Sequence, residues 1–210
     1  MPLFSKVMMR LSPRVLRAIR IHLLLPMCPI LDALPASGRV LDVGCGYGHV
    51  LSYLAERRPD LDFIGTDIDQ DAVRQARAAW KFLPNVQFES VPVEELKGEF
   101  SHAMLLDVIH HMTPEQERTA IAAIASLLTP GGSILIKEMD AGKCGLGVFL
   151  DTYISRCPPT VRTHGEIAKA LSTEFSSLHY ETGRKGGIGF VNIRASVSKK
   201  NSGKSIPSVA

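Results

Sequence analysis

Arg39-Val-Leu-Asp-Val-Gly-Cys-Gly-Tyr-Gly-His-Val50 is the stretch on which the fold of this chain turns. Val40 to Val43 has the apolar character of a short buried strand, three glycines follow at positions 44, 46 and 48, and a helix begins near His49. Glycine permits positive φ and lets a ligand approach bare backbone, while the first turn of a helix presents unpaired N–H groups. Such a turn serves a ligand.

Outward from this stretch the chain alternates strand and helix. An exposed helix is expected to about Arg58, where Pro59 stops it, then a strand over Leu61 to Thr66 and a helix from Gln70 to about Phe82. Val86 to Glu89 reads as a third strand, Val93 to Leu96 as a helical turn, and the apolar His102 to Leu106 as a central fourth strand. Thr113, Pro114 and Gln116 supply the cap, first-turn proline and capping-box residue of a helix running to Leu128. Thr129 to Gly132 reads as a turn and Ser133 to Lys137 as the fifth strand. Five alternations argue for a parallel sheet covered on both faces. Residues 141–162 form a variable insertion, Thr163 to Leu171 a short helix, and Phe175 to Glu181 with Phe190 to Val197 an antiparallel hairpin about a turn at Gly183 to Gly189. The polar tail 199–210 is expected to be disordered.

At 210 residues the chain suits one α/β domain, residues 38–198, preceded by an N-terminal region, 1–37. Hydrophobic residues make up 45% and charged ones 21%, which excludes wholesale disorder. Cys28, Cys45, Cys144 and Cys157 lie far apart with no metal-ligand spacing, so reduced thiols, no metal and a cytoplasmic setting are expected. The net charge of +3 is concentrated at the ends: Lys6, Arg10, Arg14, Arg17, Arg20, Lys199, Lys200 and Lys204 leave sixteen basic residues in the body against 21 acidic ones. A broad nucleic-acid surface is not expected on such a body. Ser12 and Pro13 start a basic amphipathic helix with Val15, Leu16, Ile19 and Leu23 on one side and Arg14, Arg17 and Arg20 on the other. It suits a cap over the domain with solvated arginines, or attachment through residues 12–24 to an acidic carrier protein or to the inner membrane face as a peripheral contact. Ile21 to Leu31 is broken by Pro26 and Pro29 and is too short to span a membrane.

Nicotinamide and flavin proteins also use a Gly-rich turn after the first strand, so downstream residues must choose the ligand. Asp67 lies at the tip of the second strand, where a carboxylate can accept both hydroxyls of a ribose, and Ile68 beside it suits an adenine face. Asp69 suits the N-cap of the next helix. Together, the GxGxG spacing after Asp42, this Asp67, and Met104-Leu-Leu-Asp107-Val-Ile-His110-His111-Met112 resemble the class I S-adenosylmethionine (SAM)-dependent methyltransferases. The resemblance covers residues 39–198. It implies a Rossmann-like methyltransferase fold, an α/β seven-stranded mostly parallel sheet with helices on both faces and an antiparallel C-terminal hairpin.

The resemblance further implies SAM as cofactor, held by Asp42, Gly44, Cys45, Gly46, Tyr47 and Gly48, by Asp67 and Ile68, and by Asp107 and Val108. Pro92 stands where the family often has an Asp facing adenine, which leaves Val93 and Glu94 as its neighbours. No Asn-Pro-Pro-Tyr type tetrapeptide follows the fourth strand, so O- or C-methylation of a small, hydrophobic or carrier-bound metabolite is favoured over nucleobase N-methylation. His110 and His111 are the candidate bases, against a reading in which they only line the pocket. Lys137, Glu138 and Asp140 end the fifth strand near the pocket, with Lys137 alternatively a surface snorkel, while Tyr153, Arg162 and His164 lie in or beside the insertion. Competing functions are a nicotinamide-dependent oxidoreductase and a non-catalytic SAM-binding module.

Overall fold

The computed structural model describes residues 12–140, 162–185 and 188–197. Helix α1, Pro13–Ile19, is capped by Ser12 as predicted and runs into a π turn, Arg20–Leu24, followed by α2, Met27–Ala33. Then come β1 Gly38–Val43, α3 His49–Arg57, β2 Leu61–Thr66, α4 Gln70–Trp80, β3 Val86–Glu89 and a 3-10 turn at Val93–Glu95. They are followed by β4 Phe100–Leu106, a 3-10 turn Ile109–His111, α5 Pro114–Leu127, β5 Leu128–Met139, α6 His164–Leu171, β6 Phe175–Lys185 and β7 Ile188–Val197. The sheet order is β3-β2-β1-β4-β5-β7-β6. All neighbours are parallel except β7, which runs antiparallel to both β5 and β6. This is the expected seven-stranded sheet with its edge hairpin.

Alternation along the strands divides the core into two layers. One face carries Leu41, Ile64, Ala103, Leu105, Ile134, Ile136 and Ile193 against α5 and α6. The other carries Val40, Phe63, Met104, Leu106 and Leu135 against α2, α3 and α4, with Trp80 fully buried there. Apolar residues on both faces explain why the central strands read as continuous hydrophobic runs. The register Val43↔Thr66, Val43↔Leu105 and Leu106↔Lys137 aligns the carboxyl ends of β1, β2, β4 and β5, so the loops that follow them share one rim.

Three local expectations are corrected. Thr129 to Gly132 lies within β5 instead of in a separate turn: β4 advances two residues from Phe100 to His102 while β5 advances five from Leu128 to Ser133, and Gly131 at φ +80° absorbs the excess. The hairpin strands extend into the expected turn, to Lys185 and from Ile188. Helix α3 is not an exposed helix: His49 through Ser52, Leu54 and Ala55 are buried, because the N-terminal segment packs over it through Arg17, which meets Glu56 at 2.8 Å and Ser52 Oγ at 3.5 Å. Helix α2 went unanticipated, since Pro26 at its N-cap and Pro29 in its first turn read as breaks in the sequence.

Residues 141–161 of the insertion, with Cys144, Tyr153 and Cys157, and the tail fall outside the described residues; within the described residues Cys28 and Cys45 are free thiols. Among the described residues no helix is long and apolar enough to cross a membrane.

Helix α5 starts with the full capping box predicted for it, Thr113 Oγ1 accepting from Gln116 N at 3.2 Å and Gln116 Oε1 from Thr113 N at 2.8 Å. Thr113→Ala should lower stability by about 1 kcal/mol. A urea titration with unchanged slope checks it; an unmoved midpoint would remove the cap from the account.

Candidate active site

The strand order reverses between β1 and β4, and the crevice outside their carboxyl ends is where an open α/β sheet takes its ligand. The glycine loop fills one side of that crevice. Gly44 (φ +76°), Gly46 (φ +51°) and Gly48 (φ +69°) all occupy the left-handed region. At two of them space is also lacking: a Cβ on Gly44 would lie 2.6 Å from Val108, and one on Gly48 2.5 Å from the Phe88 ring. The loop is tied to β2, with Gly44 N and Cys45 N donating to the Thr66 carbonyl at 2.8 and 3.1 Å. Trp80 Nε1 donates to the Tyr47 carbonyl at 2.8 Å and supports it from beneath.

Asp67, at the tip of β2, faces the loop directly. Its Oδ2 accepts from Gly46 N at 2.7 Å and its Oδ1 from Asp69 N at 2.9 Å. Asp69 is the predicted N-cap, accepting from Asp71 N and Ala72 N. Ile68 stands 78% exposed beside them. Asp42 is buried at the end of β1, and burial pushes its carboxyl up to about 7 despite the nearby Arg20 guanidinium. The same burial, with Arg20 and Arg17 adding to it, holds His49 down to about 4, so this imidazole is neutral. Cys45 packs its thiol into the core, where burial raises its pKa, and only its backbone belongs to the loop.

The third and fourth predicted pieces differ in quality. Val93 spends its side chain in the core and Glu94 is exposed, so only the Val93 backbone and the Glu94 carboxylate can face a ligand there. Nearby, Thr66 Oγ1 donates to the Val91 carbonyl and fixes the segment. The loop after β4 is far more constrained. Asp107 has a φ of +60°, its N–H donates to the Lys137 carbonyl at 2.8 Å, and its Oδ1 accepts from Lys137 Nζ at 2.5 Å. Lys137 is 3% exposed and therefore not a surface snorkel.

Glu138, equally buried, closes the arrangement. Its Oε1 accepts from Val108 N at 2.8 Å and Ile109 N at 2.6 Å, and its Oε2 lies 2.5 Å from His110 Nδ1. A carboxylate can only accept here, so Nδ1 carries a proton and Nε2 is turned away from Glu138. His110 is buried, whereas His111 is exposed with its ring centroid 4.2 Å from that of His110. The arrangement can therefore hold the His110 ring in a fixed orientation at the rim of the crevice.

Asp140 ends β5 with its N–H on the Gly189 carbonyl. Arg162 forms a buried pair with Glu117 and reaches the Met112 carbonyl at 3.5 Å, while His164 stacks on Tyr180 at 4.8 Å, away from the glycine loop. The residue that sequence reasoning missed is Arg20. It was assigned to a solvated face, yet its charge acts on Asp42, His49 and Asp107. A cation at that place suits the carboxylate of an amino-acid ligand. A left-handed glycine loop at the switch point, a carboxylate at the tip of β2, and a buried acid under the influence of a cation fit SAM.

Residues 40–132 match a family model described as a methyltransferase domain. The chain is 27% identical over 141 residues to the cyclopropane-fatty-acyl-phospholipid synthase of Escherichia coli strain K12, covering 65% of this chain and 36% of that one. It is 31% identical over 99 residues to a trans-aconitate 2-methyltransferase of Deinococcus radiodurans, covering 47% and 37%. The chain thus spans little over a third of the length of either relative. Among solved structures, the magnesium protoporphyrin IX methyltransferase of Synechocystis with bound S-adenosylhomocysteine (SAH) superposes with a TM-score of 0.63 at 21% identity, over 82% of this chain and 79% of that one. The matched residues, the sheet order and the loop geometry agree, and in each the chain resembles the class I SAM-dependent methyltransferases.

Proposed function

We propose that this protein methylates an oxygen or carbon of a small acceptor, hydrophobic or carrier-bound, with His110 as the proton acceptor and Glu138 as the residue that positions it. The single observation carrying the reading is the Glu138 carboxylate, whose two oxygens take the N–H groups of Val108 and Ile109 and the Nδ1 of His110. When bound, SAM supplies a methyl group already activated on a sulfonium. What remains for the chain is alignment and, for an oxygen or carbon acceptor, removal of a proton.

Asp67 presents its carboxylate to a ribose, and the glycine loop offers backbone to the methionine part. Asp42 meets the ammonium group and Arg20 the carboxylate. Glu138 keeps the His110 lone pair on Nε2 and stabilises the imidazolium that forms when the acceptor's proton arrives. His111 is exposed and serves as the control residue. The basic helix contributes Arg20 to this site, and the acidic-carrier or membrane contact suggested for it remains part of the proposal only for the outward side of residues 12–24.

Calorimetry with SAH should show binding to the wild type and a loss of about tenfold or more in Asp67→Ala, the value of a pair of charge-assisted hydrogen bonds. A wild type that ignores SAH defeats the proposal.

The Asp42 carboxyl, titrating at about 7, is largely protonated below that pH, whereas the ammonium of the ligand favours the anion. SAH binding near pH 6 should therefore release about one proton, and affinity should rise with pH until it levels above about 7.5. Calorimetry in buffers of different ionisation enthalpy reads this directly. Asp42→Asn should abolish the release; a wild type that releases no proton contradicts the assignment.

Glu138→Gln should lower methyl transfer by about 100-fold while SAH affinity changes by no more than about threefold, and His110→Ala should do the same while His111→Ala does not. Parallel losses of transfer and SAH affinity in Glu138→Gln would reduce Glu138 to a structural tie.

A further inference from the structure

At the opposite end of the sheet, where β4 and β5 begin, a cavity of about 260 Å³ opens between α2 and strands β4, β5, β7 and β6. Its origin lies in a break of pattern. Position 102 of β4 is 1% exposed and shares its face with Val40 in β1 and Met104 two residues on, yet it is a histidine. His102 Nδ1 lies 2.8 Å from Ser133 Oγ, and its Nε2 has no hydrogen-bond partner among the described residues. A buried polar atom left so is costly, and native structures seldom keep one without use.

Polarity continues across the sheet from there. The register sets Ser133 opposite Ser196 and Arg194 opposite His179, so these side chains line the same face and the same cavity. One N–H of Arg194 donates to the Pro29 carbonyl at 2.9 Å, which holds the guanidinium beneath α2. Asp32, also on α2, lines the cavity as well. The guanidinium fork exceeds the one carbonyl it serves, so it can still take a carboxylate, while Asp32 disfavours a dianion and accepts from a donor. The volume lies below the range of about 300–1,000 Å³ typical of larger ligands.

We propose that this cavity is a second, non-catalytic binding site for a small amino- or hydroxy-carboxylate, with its carboxylate on Arg194 and its amino or hydroxyl group on Asp32. The serine hydroxyls line the rest. Asp107 lies five positions past His102, about 16 Å along the strand direction, so a ligand here does not touch the glycine loop.

The test is NMR of the full chain, following the His102 ring signals during titration with L-serine and with L-lactate. Saturable shifts with a millimolar midpoint are expected for at least one of them, with the midpoint raised about tenfold in Arg194→Gln and SAH affinity within about twofold of wild type. No saturable shift with either probe, or an unchanged midpoint in Arg194→Gln, overturns the proposal. Should Arg194→Gln fail to fold, His179→Gln at the exposed edge strand replaces it: a midpoint raised about threefold supports the site, and an unmoved one overturns it.

Discussion

The loop between β4 and α5 hangs on two consecutive residues of β5 that point to opposite faces of the sheet. Lys137 takes one side, pairing with Asp107 while its own carbonyl receives the Asp107 N–H. Glu138 takes the other, accepting two backbone N–H groups and facing His110. A buried N–H without its acceptor costs about 1–3 kcal/mol, and a non-glycine residue at positive φ a similar amount. Asp107 can hold a φ of +60° because β5 grips the residues on both sides of its peptide. That strained residue also touches the glycine loop indirectly, since Val108 fills the space a side chain at Gly44 would need.

Helix α1 is oriented by charge and aromatic surface, while Ile21 and Leu25 just beyond it are buried in the core. Arg14 lies 5.5 Å from the Phe82 ring centroid and Arg17 4.9 Å from that of Trp80, with Arg17 also paired to Glu56. Val15, assigned to the apolar side, is 43% exposed. Exposed cation–π contacts are each worth about 0.5–1 kcal/mol, so several together can orient a two-turn helix that buries no residue completely. The π turn that follows begins at Arg20, whose charge acts on Asp42, His49 and Asp107.

Much of this was legible in the sequence because local chemistry determined it. The strands Leu61–Thr66 and Val86–Glu89 coincide with their apolar runs, and Thr113, Asp69 and Ser12 cap the helices predicted for them. The glycine positions likewise announce a backbone that only glycine fits. What was not legible depends on partners distant in sequence. The inward face of α1 is set by Trp80, Phe82 and Glu56, and helical periodicity alone assigns the arginines to solvent. Lys137 looks like a surface residue until Asp107 is placed opposite it. The Thr-Pro-Gly-Gly segment carries turn chemistry, but the ladder on both sides makes it a bulge within a strand. For the candidate site, the resemblance named the loop residues that the fold brings to one rim, whereas which of two adjacent histidines meets Glu138 is visible only in the structure.

The position of β7 has a consequence for how the molecule is made. This strand lies between β5 and β6 and is antiparallel to both, so β6 leaves the ribosome before the strand it pairs with exists. Until β7 arrives, β5 is an open edge with apolar residues on both faces, and the β6 segment has no ladder to join. Sheet completion is therefore a late, non-local event, of the kind that slows folding and leaves an adhesive edge exposed in the meantime. A nascent chain halted within β6 would carry a finished glycine loop on an unfinished sheet.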